Sequence, residues 1–299
     1  MEVLSGIKIG NAREYKNMKV YPVYVGKEDE IFLEGLEEAL EKKHIKIREE
    51  SESGNVNNLV IEKGKTEEEI LILAGEIIAG AKQNRTIGYD IILGKKECKL
   101  DSEVYCVERG RWSYRTRDFG ATKCAISPKM RFDIINKYEG VHFKQSKLWR
   151  NISILNSALH CESPTESLTD SFDSKKYREE SLEYLKAFKE MPEKDRKMAG
   201  MLVFINDKAV LLEAFNNNDM LKKYWEKLIN SYTQEALFAE KEKKSEKDLP
   251  EEILENLKSV KPDKSVKRER ADLFEVDKKQ VKGYLTILDD KFVHASLFF

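Results

Sequence analysis

Short apolar runs, many alternating with polar residues, fill the first 110 positions, and the period lengthens to a helical one from about residue 128. Two-residue alternation puts successive side chains on opposite faces of a strand, whereas spacings of three and four mark one stripe of a helix. On that basis 20–25, 45–48, 56–62, 70–78, 86–93, 97–100 and 103–108 read as strands, with a turn at Ser53-Gly54-Asn55 and a helix over 31–43. Helices are expected over 130–138, 145–159, 175–189 and 221–244, with a break at Ser163-Pro164-Thr165. Hairpins are expected over 200–215, turning at Asn206-Asp207, and at the end of the chain, turning at Asp289-Asp290. The expectation is an α+β fold: an antiparallel β-sandwich or barrel-like part over 1–127, then helices and two β-hairpins over 128–299. A charged linker is expected near 240–270, and the two parts could equally form one integrated domain.

Composition narrows this little. The 299 residues include 40% hydrophobic residues, 12 Tyr and 13 Phe, enough to bury a large core. Lys and Glu dominate the 36% charged residues, a bias seen in thermophiles and also produced by low-GC codon usage. The formal net charge is only −1, which argues against wholesale polyanion binding but leaves room for a local basic patch. No run approaches the ~18 to 20 apolar residues of a membrane span, and the start lacks a signal-peptide pattern, so a cytoplasmic protein without a membrane partner is expected. Cys98, Cys106, Cys124 and Cys161 show no CxxC spacing and the four His are scattered, so no disulfide or protein metal set is assigned.

Two segments carry candidate chemistry. In ILILAGEIIAGAKQNR (70–85) one acid, Glu76, sits inside an apolar run, and burying a carboxylate there costs several kcal/mol unless it is paired. If the strand continued, Glu76, Ile78, Gly80, Lys82 and Asn84 would share a face, with Ala79, Gly80 and Ala81 leaving space beside it. The alternative is that Glu76 and Lys82 form an internal ion pair or bind backbone at a β-bulge. In EVYCVERGRWSYRTRD (103–118) an extended reading puts Cys106, Glu108 and Trp112 on one face, surroundings that raise a carboxyl pKa. Arg109, Arg111, Arg115 and Arg117 would line the other face, as a phosphate-binding row or as a charged outer face paired with acids. Cys106 as a nucleophile, His294 as a functional group and Tyr232 facing a pocket are weaker readings than packing roles.

The strings YPVYV (21–25), GEIIAGAKQNR (75–85), CVERGRW (106–112), QSKLW (145–149), ESPTESL (162–168) and YWEKLINSYTQEA (224–236) resemble the ADP-ribosylglycohydrolase- and rhodanese-phosphatase-associated protein domain family of bacteria and archaea. The resemblance covers most of the chain. It implies a link to ADP-ribose, nucleotide or RNA-end metabolism through neighbours and fusions, without a mechanism.

Together these readings lead to a soluble enzyme acting on an ADP-ribose-like or phosphorylated nucleotide, or on a nucleic-acid end. Glu76 and Glu108 would be the acid/base pair or, with Mg²⁺, its oxygen ligands. Lys82, Arg85 and Arg111 would neutralise phosphate, Gln83 and Asn84 would orient the ligand, and Trp112 would stack on a base or ribose. Two alternatives stand beside it. One is a non-catalytic ligand-binding or assembly module with GAKQNR as its recognition loop; the other is an RNA- or DNA-binding protein using the arginine row.

Overall fold

The computed structural model describes residues 4–26, 31–239, 248–260 and 265–299. The fold is α+β, with nearly all strand pairs antiparallel. Residues 33–180 form one compact unit; those before 33 and after 180 form the other. The expected division at 127/128 is not where the compact units divide. The change from strand to helix period does not mark it, because helices after 128 pack on the earlier strands and the closing hairpins extend the sheet begun by Met18–Tyr24.

In the unit holding both ends of the chain, a nine-stranded sheet runs Lys8–Ile9, Met18–Tyr24, Gly200–Ile205, Lys208–Phe215, Lys291–Phe298, Val281–Leu288, Ala271–Lys278 and Ser265–Arg268, with Arg13–Tyr15 pairing Met18–Tyr24. Both expected hairpins form. Asn206, Asp207, Asp289 and Asp290 all take positive φ, the geometry of a two-residue turn that matches strand twist. Side chains alternate along Lys208–Phe215. Leu212 and Ala214 join a core with Leu202, Leu285 and Leu297, while Phe215 stacks on Tyr224 of the helix Asn218–Ala239. Glu213 is buried, accepting hydrogen bonds from Tyr232 Oη at 2.8 Å and lying 2.7 Å from His294 Nε2. Tyr232 and His294 therefore serve a buried polar network. Part of the expected 240–270 linker is ordered as the helix Pro250–Ser259 and the strand Ser265–Arg268; 240–247 and 261–264 lie outside the described residues.

The unit spanning 33–180 holds a six-stranded sheet in the order Phe119–Ala125, Glu76–Gly80, Arg85–Ile87, Cys98–Cys106, Asn58–Lys63, Ile45–Glu49. A smaller sheet joins Ile91–Leu93, Ile70–Ile72 and Glu34–Gly35. Their shared core includes Ile47, Ile61, Ile72, Ile78, Ile87, Val104 and Phe119. Five expectations change here. The strand expected over 86–93 is split between Arg85–Ile87 and Ile91–Leu93 in different sheets, and those expected over 97–100 and 103–108 form the one strand Cys98–Cys106. The helix expected over 31–43 is confined to Leu36–Glu41, because Glu34 pairs with Ile70 as a strand and its carboxylate holds Lys42 and His44. The strand expected over 70–78 breaks at a turn, so Ile70–Ile72 and Glu76–Gly80 belong to different sheets. The strand ends at Gly80, with positive φ at Gly80 and Ala81, so Lys82 and Asn84 do not continue the Glu76 face. Among the described residues no helix is long and apolar enough to cross a membrane.

Replacing Glu213 with Leu removes an acceptor from two buried partners. Urea unfolding should show a loss of roughly 3–5 kcal/mol. A loss below about 0.5 kcal/mol would mean that the Glu213 network does not stabilise the sheet.

Candidate ligand-binding site

The two motif segments meet, and ESPTESL joins them. The strand Cys98–Cys106 lies beside Arg85–Ile87, with Cys106 opposite Arg85. The chain then leaves the sheet and turns, so Glu108 and Arg111 come together instead of lying on opposite faces. Arg111 grips Glu108 with two donors, Nε to Oε1 at 2.9 Å and Nη2 to Oε2 at 2.6 Å. The Asn84 N–H donates to Oε2 at 3.0 Å and the Thr165 hydroxyl to Oε1 at 2.8 Å. Gly110 closes the contact with ESPTESL; a Cβ there would sit 2.9 Å from Thr165 Cα. Arg111 also donates to the carbonyls of Gly80, Ala81 and Ser113.

This fixes the roles of several expected residues. Glu108 is fully buried. Burial alone would raise its pKa, but the Arg111 guanidinium, the Asn84 N–H and the Thr165 hydroxyl more than offset that, and the carboxyl titrates below its usual 4.5. The raised value expected from the sequence is overturned, and such a carboxylate is a poor general acid at neutral pH. Arg111 spends its guanidinium on the protein, so the phosphate role expected for it has no free donors. Asn84 is likewise committed: its Oδ1 accepts from Gly80 N and Arg111, and its Nδ2 donates to Ser167 and Thr169 hydroxyls.

Glu76 stands apart from this centre. Its carboxylate accepts the Leu73 N–H at 2.8 Å, capping the turn before its own strand. Gly80, which Arg111 touches, lies four residues further on, about 13 Å along an extended chain. Glu76 and Glu108 are not brought together as an acid/base pair or as shared metal ligands. Among the described residues no three His, Cys, Asp or Glu side chains converge as a metal-binding group. The space expected beside Ala79, Gly80 and Ala81 is filled by 115–118: Thr116 Oγ1 accepts from Ala81 N and Arg115 N donates to Ala81 O. The remaining arginines follow the paired reading, Arg109 with Glu166, Arg115 with Glu108 and Arg117 with Glu52.

Gln145, from QSKLW, fixes the helix Val141–Ala158 to the sheet. Its Oε1 accepts from Cys106 N at 2.8 Å and its Nε2 donates to Cys106 O at 2.9 Å, as a neighbouring strand would. Burial pushes the Cys106 thiol pKa up despite the nearby Arg85 cation, which leaves a protonated, unreactive sulfur.

What remains uncommitted lies beside this frame. Arg85 is fully buried, yet among the described residues its Nε and Nη2 have no hydrogen-bond partner; only Nη1 is used, to Gln83 Oε1 at 3.0 Å and Asn84 O at 3.4 Å. Burial lowers its pKa. Glu49, also buried, lies 4.0 Å from Arg85 Nη2, and its Oε2 is unpartnered while Oε1 accepts from Lys82 N. Trp112 roofs the pair: the Arg85 guanidinium carbon is 5.6 Å and Lys82 Nζ 5.3 Å from its ring centroid, with Tyr114 5.2 Å from Nζ. Lys82 Nζ donates to Ser53 O at 3.0 Å, not to Glu76, so of the two structural alternatives the ion pair does not form and both side chains bind backbone instead. Glu49 and Tyr114 also line an open cleft of about 740 Å³ with Lys46, Arg48, Glu52, Glu62, Arg117 and Asp118. Its size falls within the usual range for small ligands, ~300 to 1,000 Å³.

Sequence reasoning missed Glu49. The available signal was IKIRE, where Ile45, Ile47 and Glu49 occupy the inward positions of one alternating strand. It also left Gln145 and Thr165 without roles, because each acts on a segment tens of residues away.

A family model for the ARG and Rhodanese-Phosphatase-superfamily-associated Protein domain matches residues 6–298. The chain belongs to this family. The match takes in both compact units, so the family domain is the pair of them. No curated protein and no solved structure matches the chain.

The Glu108 pKa gives a pH test. A carboxyl whose folded pKa is depressed adds stability above its unfolded value, near 4.5, and loses it as pH falls through the lower folded value. Glu108→Gln should cost roughly 3–5 kcal/mol at pH 7. In urea titrations the gap between wild type and variant should narrow below pH 4.5. A gap that stays constant down to the acid transition would place no pKa shift on Glu108.

Proposed function

We propose that the 33–180 unit of this family member is a non-catalytic binding module for a small nucleotide-type ligand. The site is the buried Arg85–Glu49 pair with Trp112 and Tyr114 beside it, and Glu49 and Tyr114 are the residues it shares with the open cleft. The observation that carries this reading is Arg85: a fully buried guanidinium with two nitrogens that lack acceptors among the described residues, facing a carboxylate with one oxygen likewise unpartnered among them. Buried polar groups are ordinarily satisfied, and leaving a charged one open costs several kcal/mol, so a ligand or ordered water is needed to complete the set. Trp112 and Tyr114 are both partly exposed beside it, and flat aromatic faces suit a heterocycle. The ADP-ribose-like class implied by the resemblance fits these features.

The hydrolase reading loses support because its two proposed carboxylates are apart and each is occupied by the protein. The nucleic-acid reading loses support because the arginine row pairs with acids.

Thermal unfolding in the presence of ADP-ribose, AMP or ATP tests the proposal. A ligand at 100 times its Kd stabilises the native state by about 2.7 kcal/mol. At least one of the three should raise the midpoint, and Arg85→Met and Trp112→Ala should each abolish the rise. No rise with any of them, or a rise unchanged in both variants, contradicts the assignment.

A further inference from the structure

We infer, resting on that binding reading, that the buried end of the site takes the edge of an amino-bearing nucleobase and not a phosphate. A group entering between Arg85 and Glu49 must accept hydrogen bonds from Nε and Nη2 and donate one to Glu49 Oε2. A fully deprotonated phosphate only accepts. Placed there, it would meet Arg85 but press its charge against the Glu49 carboxylate, itself only 4.0 Å from Nη2. A base edge offers both functions side by side. The amino group of adenine flanks a ring nitrogen acceptor, and guanine carries N–H donors beside its carbonyl.

Two further observations agree. The cleft leading to Glu49 is lined by three cations, Lys46, Arg48 and Arg117, against four carboxylates, Glu49, Glu52, Glu62 and Asp118. The cations are also occupied: Arg48 bonds Glu62, Lys46 lies 3.3 Å from Asp118 and Arg117 lies 2.9 Å from Glu52. Such a cleft has no surplus positive charge for phosphate. Trp112 is partly exposed, so ring surface remains beside the Arg85 guanidinium for a base to stack on.

Splitting AMP into its halves tests this on the full chain. Isothermal titration calorimetry would compare adenosine and guanosine with ribose 5-phosphate, pyrophosphate and intact AMP, for wild type, Glu49→Gln and Arg85→Met. The expected result is that at least one nucleoside binds and neither ribose 5-phosphate nor pyrophosphate does. Glu49→Gln and Arg85→Met should each weaken the nucleoside at least tenfold, with thermal melts confirming that both variants fold. If a variant does not fold, competition between the nucleoside and pyrophosphate on wild type decides: displacement overturns the inference and no displacement supports it. Binding of ribose 5-phosphate or pyrophosphate at least as tight as the nucleoside overturns the inference while leaving the binding module standing. Nucleoside binding that both variants leave unchanged also overturns it. If AMP binds but neither half does, the base-edge assignment fails; if AMP, the nucleosides and the phosphates all fail to bind, the module reading fails with it.

Discussion

The two-pronged contact between Arg111 and Glu108 holds three separate stretches of chain in one place. Glu108 collects the Asn84 N–H and the Thr165 hydroxyl, while Arg111 reaches the carbonyls of Gly80, Ala81 and Ser113. A buried ion pair seldom adds net stability over a well-packed apolar pair, but removing one partner is severe, because the other charge is left in a dry interior. The value of this pair lies in geometry. It sets the path of 80–84 after the strand Glu76–Gly80 ends, and so aims Lys82 and Arg85 toward Trp112.

That frame separates residues that look equivalent in a linear motif. Within GAKQNR, Asn84 is consumed by structural hydrogen bonds, Gln83 supports Arg85 through Oε1, and Lys82 rests between two aromatic rings. Arg85 alone in that run combines full burial with nitrogens that lack acceptors among the described residues. The difference follows from position. Arg85 lies on a three-residue strand with Ile78 and Cys106 as cross-strand neighbours, a setting that supplies apolar surroundings and no carboxylate at hydrogen-bonding range. Glu49 answers it at 4.0 Å, a spacing that leaves both partners incomplete.

Much of the architecture was legible in the sequence. The α+β class, the Asn206-Asp207 and Asp289-Asp290 hairpins and the helices expected over 145–159 and 175–189, found as Val141–Ala158 and Lys175–Phe188, follow from period and turn residues, which are local signals. Of the expected shared centre, 80–85 does meet Glu108 and Arg111, but Glu76 stays with the turn before its own strand. Legibility ended where strands were expected to continue. Extending alternation past Gly80 and past Cys106 put Lys82 and Asn84 on the Glu76 face and made Arg111 part of an outer row, whereas both strands stop there and the chain turns. Roles created by distant partners were out of reach: Gln145 acts on Cys106, Thr165 on Glu108, and Glu49 on residues more than thirty positions away. The division into compact units was hidden for the same reason, since pairing of Met18–Tyr24 with Gly200–Ile205 has no local trace.

A double-mutant cycle on Glu108 and Arg111, read by urea unfolding with Glu108→Gln, Arg111→Gln and the double variant, tests the frame most directly. The account predicts strongly non-additive losses, with a coupling of at least about 2 kcal/mol, toward the upper end seen for contacting residues. Losses that add to within about 0.5 kcal/mol would show that the two side chains act independently and that the pair does not hold the site together.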